Sequence, residues 1–270
     1  MPALELDGQT LAYRDEGAGP VLVCLPANPG DSRDFDAITP ALSRDHRVLR
    51  LDWPGYGGSP APAPPERASA DYFLEVFTAF AQRLQLRDPC LIGNSVGGNV
   101  AVRYALRHRV RGLVLVSPGG FTAHNPVTRL FCRLQGRAGF NRAIGKLFTR
   151  AYLRKRNAHT RAMIERADTE QHREAARRVN AAVWRSFLDP RHDLRLVARE
   201  LHAPALVISG KYDPVIPAHS DGKRAAQCIP GARQIVFRTG HAPFAEDPEA
   251  FLAEVVPFLA SLREPARAAD

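Results

Sequence analysis

Cysteine is scarce in this chain of 270 residues: Cys24, Cys90, Cys132 and Cys228 lie far apart and form no C-x-x-C pair. That spacing suggests neither a disulfide framework nor a zinc site, and leaves reduced, mostly buried thiols as the expectation. Cys24 and Cys90 each sit inside an apolar run, where a small hydrophobe belongs. Long apolar stretches are missing as well. No run approaches the roughly 18 consecutive apolar residues that a membrane span needs. The opening Met1-Pro-Ala-Leu-Glu-Leu-Asp-Gly8 has neither a basic start nor an apolar signal segment. A cytoplasmic protein without a membrane span, resident metal or cofactor is expected, and no internal repeat is visible.

What is present fits one large domain, or a core with a modest insertion. A hydrophobic fraction of 45% is ordinary for a globular protein. The formal charge of +9 is spread unevenly. Residues 121–200 hold 18 Lys and Arg against 7 Asp and Glu, whereas the rest of the chain holds 19 against 21. All of the basic excess therefore lies in one segment.

Apolar runs bounded by turn residues recur at 21–25, 48–52, 90–93, 113–117, 206–210 and 234–237, and read as strands. Helical spacing separates several of them. Phe73, Val76, Phe77, Phe80 and Leu84 form one stripe, and Leu252, Val255, Val256 and Leu259 another, in which Pro257 should introduce a kink. Alternation of this kind implies an α/β architecture, a mostly parallel sheet covered on both faces by helices. The order breaks between 121 and 200, where the pattern is helical throughout. The expected division is a catalytic core of 1–120 and 201–270 with an Arg-rich helical cap of 121–200. The stripe Ala176, Val179, Val183 and Phe187 is expected to face the core.

Gly93-Asn94-Ser95-Val96-Gly97 follows an apolar run and precedes a helix-compatible one, the setting in which G-x-S-x-G exposes a nucleophilic serine on a tight strand-to-helix turn. Small residues must flank such a serine because the turn crowds its own backbone. The bare pattern arises by chance in roughly one chain in ten of this length. Two further positions give it weight. Asp213 comes just after the run at 206–210, at a strand's carboxyl end, and His241 lies in a loop after the next strand. Taken singly, Asp213-Pro214 is also an ordinary turn, and any of the nine histidines could be a packing residue. Together they fall at successive strand ends in the order Ser, Asp, His. Ser95 is accordingly read as nucleophile, His241 as general base and Asp213 as the acid that orients it.

With those residues in view, the chain resembles the α/β-hydrolase superfamily along nearly its whole length. Asp52-Trp-Pro-Gly-Tyr-Gly-Gly-Ser59 is similar to that superfamily's D-x-x-G-x-G-x-S segment, and Gly240-His-Ala-Pro-Phe-Ala-Glu-Asp-Pro-Glu-Ala-Phe251 to its histidine loop. The resemblance implies an α/β-hydrolase fold with a cap and an oxyanion hole of two backbone N–H groups. By position these belong to Asn28 and Val96. Where the superfamily carries H-G-x-P-G, this sequence reads Pro26-Ala-Asn-Pro-Gly30, and a backbone donor survives such a change of side chains.

Ester or thioester cleavage through an acyl-enzyme comes first as the implied reaction, because His241-Ala-Pro-Phe244 resembles small carboxylesterases. Carbon–carbon cleavage comes second: Gly93-Asn-Ser-Val-Gly-Gly98 and Ser117-Pro-Gly-Gly120 resemble meta-cleavage-product hydrolases. A third reading, of another class, is a non-catalytic ligand-binding protein on a hydrolase scaffold. Phe121, Phe148, Tyr152 and Trp184 are candidate pocket residues. The expected partner is a small-molecule acyl substrate, anionic or carrier-bound if the basic segment recruits it, or else that segment is a solvated arginine-rich face. Nucleic acid is not expected, since no recognised module accompanies the charge.

Overall fold

The computed structural model describes residues 1–140 and 149–262. Its strands are β1 (Ala3–Leu6), β2 (Gln9–Glu16), β3 (Val21–Leu25), β4 (Arg47–Leu51), β5 (Cys90–Asn94), β6 (Gly112–Val116), β7 (Ala205–Gly210) and β8 (Arg233–Phe237). They form one sheet in the order β1-β2-β4-β3-β5-β6-β7-β8. From β4 to β8 every pairing is parallel, while β1 and β2 join the edge antiparallel. Six strands coincide with the apolar runs of the sequence, and the N-terminal pair adds to them.

Parallel strands need covered crossovers, which the longer helices supply. We label these α1 (Ala70–Arg83), α2 (Val96–Ala105), α3 (Pro126–Gln135), α4 (Ala158–His172), α5 (Glu174–Ser186) and α6 (Pro248–Ser261). The start of α1 is fixed by Ser69, whose side chain accepts from the Tyr72 N–H, and its stripe Phe73, Val76, Phe77 and Phe80 is buried. Pro257 lies within α6, which continues to Ser261. The core has two layers, and successive residues of one strand serve opposite layers. Leu91 packs in the cluster of Phe73 and Phe77, Ile92 in that of Phe244 and Phe251.

Between β6 and β7 the described residues form helices and turns and no strand. The Ala176, Val179 and Val183 face of α5 is buried in the cluster that holds Phe73. Polar ties join this segment to the sheet side: Arg166 meets Asp34 at 2.7 Å, and Arg178 pairs with Glu66.

The Asp52 to Ser59 segment is a built turn. The Asp52 carboxylate accepts from the Ser32 and Gly58 N–H groups, both at 2.8 Å, and the Ser59 hydroxyl donates to the Asp52 carbonyl at 2.7 Å. Trp53, fully buried, donates from Nε1 to the Pro26 carbonyl at 2.8 Å and so fixes the loop after β3. All four cysteines are buried and free. Burial pushes the Cys24 thiol up to about 12 and the Cys90 and Cys132 thiols up to about 11. Among the described residues, no helix is long and apolar enough to cross a membrane.

Candidate active site

Ser95 stands between β5 and α2 with φ at 56° and ψ at −114°, a left-handed conformation that strains any residue with a Cβ. The neighbouring glycines make that turn possible. A Cβ on Gly97 would lie 2.2 Å from the Leu25 carbonyl oxygen, and one on Gly93 would lie 2.5 Å from the Gly97 carbonyl oxygen. The elbow thus packs backbone on backbone, and the side chain between the glycines is pushed outward.

Asp213 and His241 arrive from the loops after β7 and β8. His241 Nδ1 and Asp213 Oδ2 are 2.6 Å apart, and neither side chain reaches solvent. The other carboxylate oxygen accepts from the Val215 and Ile216 N–H groups at 2.9 and 3.0 Å. Burial pushes the Asp213 carboxyl upward, but the His241 charge and these hydrogen bonds outweigh it and hold the group below the usual carboxylate range. An ionised Asp213 is the form that keeps a proton on Nδ1 and turns Nε2 inward. Nε2 is buried and has no hydrogen-bond partner among the described residues.

Two bonds brace the imidazole's backbone. The His241 carbonyl accepts from the Asn94 amide at 3.3 Å, and the His241 N–H donates to the Tyr152 carbonyl at 2.9 Å. The Tyr152 ring lies against the imidazole, 4.0 Å between centroids. Behind this contact sits Glu246, a buried carboxylate absent from the sequence expectations. Its Oε2 accepts from the Arg154, Lys155 and Gly240 N–H groups, each at 2.8 Å, and its Oε1 from the Ala242 N–H at 3.3 Å. One side chain therefore stitches the residues after Tyr152 to both sides of His241.

Asn28 and Val96 both border Ser95. Val96 opens α2, so its N–H has no partner within the helix. The Asn28 side chain bridges two elements: its oxygen accepts from the Tyr56 hydroxyl at 2.7 Å, and its amide donates to the Asn180 side chain at 2.8 Å. Two cavities meet at this residue. The larger, about 400 Å³, reaches Ser95 and Val96 and is walled mainly by apolar groups such as Phe131, Val183, Trp184, Phe187, Val215 and Ile216. The smaller, about 50 Å³, lies beyond Tyr152 and is lined by Asp31, Asp34, Tyr56, Arg166 and Glu170 among others. Burial and the adjacent Asp31 push the Asp34 carboxyl up to about 7 against the pull of Arg166.

Of the expected pocket residues, Trp184 lines the large cleft and Tyr152 the small cavity. Phe121 does not face the cleft. It is fully buried in the core, and Gly120 and Thr122 on either side line the cleft instead. Phe148 lies outside the described residues. Among the described residues, no group of three His, Cys, Asp or Glu is arranged to hold a metal ion.

The sequence pattern of the Alpha/beta hydrolase family matches residues 22–255, and the chain belongs to that family of hydrolases. It is 27% identical over 258 residues to a 2-hydroxymuconate semialdehyde hydrolase of Pseudomonas sp. (strain CF600), covering 91% of this chain and 89% of that one. It is 29% identical over 261 residues to a pimeloyl-[acyl-carrier protein] methyl ester esterase of Nitrosomonas europaea, covering 88% and 94%. Other relatives match over 119 residues alone, less than a third of their own length. The solved enol-lactonase from Burkholderia xenovorans LB400 shares the fold, with a TM-score of 0.82, 24% identity and coverage of 96% and 100%.

Proposed function

We propose that this hydrolase cleaves an ester or thioester by nucleophilic catalysis, with Ser95 as nucleophile, His241 as general base and Asp213 as its orienting acid. The observation that carries the reading is the buried Asp213–His241 contact of 2.6 Å beside a serine in left-handed backbone. His241 Nε2 takes the Ser95 proton as the hydroxyl oxygen attacks the acyl carbon, and Asp213 stabilises the imidazolium that results. The Asn28 and Val96 N–H groups bind the developing oxyanion. Nε2 then delivers the proton to the leaving oxygen or sulfur, and water releases the acyl group by the same steps reversed.

The segment 121–200 acts as a cap over this chemistry and supplies Phe131, Val183, Trp184 and Phe187 to the cleft. Among the described residues the cleft lining is mainly apolar and includes no Lys or Arg, which supports a largely apolar acyl portion in it. An anionic or carrier-bound portion would have to remain outside, toward the basic surface of the cap. Carbon–carbon cleavage is the second reading, favoured by the end-to-end match to a 2-hydroxymuconate semialdehyde hydrolase.

The test is turnover of p-nitrophenyl esters of graded acyl length by the wild type and by Ser95→Ala. Measurable wild-type rates lost in Ser95→Ala support the proposal. Equal background rates from both proteins leave a ligand-binding role, and turnover of a vinylogous diketone without ester turnover selects the second reading.

A further inference from the structure

Helix α3 walls the large cleft on one side and is exposed on another. Cys132 and Gln135 turn inward and are buried, and Phe131 lines the cleft edge-on to Trp184, with ring centroids 5.4 Å apart. The remaining side carries Val127 and Leu130, which are 76% and 56% exposed, together with the exposed Arg129, Arg133 and Arg137. One helical turn brings both Arg129 and Leu130 beside Arg133, so basic and apolar side chains share one ridge. Counter-charge is scarce there. Between Phe121 and Ile164 the chain has ten Lys and Arg and no Asp or Glu. Further along the same segment Arg173, Arg178, Arg191 and Arg195 each meet a carboxylate, whereas among the described residues no ion pair reaches Arg129, Arg133 or Arg137.

We propose that this side of α3 docks on an anionic lipid surface, with Val127 and Leu130 entering the headgroup boundary and Arg129, Arg133 and Arg137 meeting lipid phosphates. Interfacial helices carry this mixture: apolar tips sink toward the acyl chains, while guanidinium groups on long stems reach back to the headgroups. Shape favours lipid over a protein partner. A stable protein interface buries roughly 800 Å² on each side. A convex ridge with two exposed apolar side chains offers less than that, and a fluid lipid surface moulds to it. Position gives the contact a use. Val127 is largely exposed and also lines the cleft that reaches Ser95, so it stands at the cleft mouth. An apolar ester dissolved in the lipid would enter there without crossing bulk water. Docking needs no chemistry at Ser95 and stands apart from the reaction proposed above.

The test is co-sedimentation of the full chain with vesicles of phosphatidylcholine alone and of phosphatidylcholine with about 30% phosphatidylglycerol. The wild type should bind the anionic vesicles more tightly by about tenfold or more. Arg133→Gln combined with Arg137→Gln removes two charges, each worth about fivefold near such a surface, and should weaken binding about 25-fold. Leu130→Ser keeps every charge and should weaken it about tenfold. Val256→Ser, at a valine 43% exposed on α6, should leave it unchanged. None of these side chains lines the cleft, and circular dichroism checks that each variant is folded. Equal wild-type binding to both vesicles overturns the inference, a measurement that needs no variant. Undiminished binding in Leu130→Ser overturns it too, since attraction by net charge alone would then suffice. Binding of an acidic acyl carrier protein, weakened by the same arginine changes and without any vesicle binding, overturns it in favour of a protein partner. Ser95→Ala should sediment with vesicles as the wild type does. Undiminished ester turnover in that variant would sink the nucleophile reading and leave the docking reading standing.

Discussion

Glu246 offers a direct check on how the base is held. Its carboxylate accepts four backbone N–H groups, three on Oε2 at 2.8 Å and one on Oε1 at 3.3 Å. In Glu246→Gln the amide oxygen can serve the crowded side, which turns the NH₂ toward the Ala242 N–H, donor facing donor. Three charge-assisted bonds become neutral, each weaker by roughly 1 kcal/mol, and the fourth is lost. The sum is a destabilisation of about 3–4 kcal/mol, or roughly 6–12 °C in Tm for a chain of this size. Thermal unfolding followed by circular dichroism measures it. The same loop carries His241 and touches Tyr152, so kcat for a reference ester should fall about tenfold while the purified protein remains folded at 25 °C. A Tm within 2 °C of the wild type would refute the claim that this carboxylate is the tie.

Asp213→Asn should lower kcat by about 10⁴-fold with little change in Tm, because an amide facing Nδ1 no longer enforces the tautomer in which Nε2 accepts a proton; ester turnover across pH 6–9 reads this out. Gly97→Ala would place a Cβ 2.2 Å from the Leu25 oxygen. The expected result is a displaced elbow with no measurable esterase activity and a clear loss of Tm. Asp34→Asn tests the buried acid beside Arg166. Since burial raises the Asp34 carboxyl to about 7, the folded protein holds that proton more tightly than the unfolded chain. Wild-type stability therefore declines relative to the variant as pH rises from about 4 to about 7, then runs parallel. Urea unfolding of both proteins at pH 4.5 and 7.5 gives the difference, and a gap that does not widen toward pH 7.5 contradicts the assignment.

The sheet interior was legible because strands buried on both faces must be continuous apolar runs, as at Val21–Leu25 and Ala205–Gly210. The N-terminal hairpin was not, since Gln9–Glu16 mixes Leu11 and Tyr13 with exposed polar residues. A signal was nonetheless present in Asp7-Gly8, both with positive φ, the pair favoured in a two-residue hairpin turn. Ser95, Asp213 and His241 could be named because each sits next to a strand end in a fixed chain order. The cleft wall could not, because it is assembled from separated segments and side-chain direction decides membership. Phe121 shows this, with its neighbours Gly120 and Thr122 facing the cleft while its own ring fills the core. The role of Glu246 escaped for a related reason. Its partners are backbone N–H groups, 154, 155, 240 and 242, which carry no side-chain signature in a sequence.

Asn28 has a consequence for how substrate gains entry. Its side chain is roped to Asn180 on α5, while the residue itself lines the cleft that holds Ser95. An outward swing of α5 that widened the doorway would tug the peptide proposed above as an oxyanion donor. Under that proposal admission and reactivity would be exclusive states, with the site armed only while the Asn28–Asn180 tie is intact.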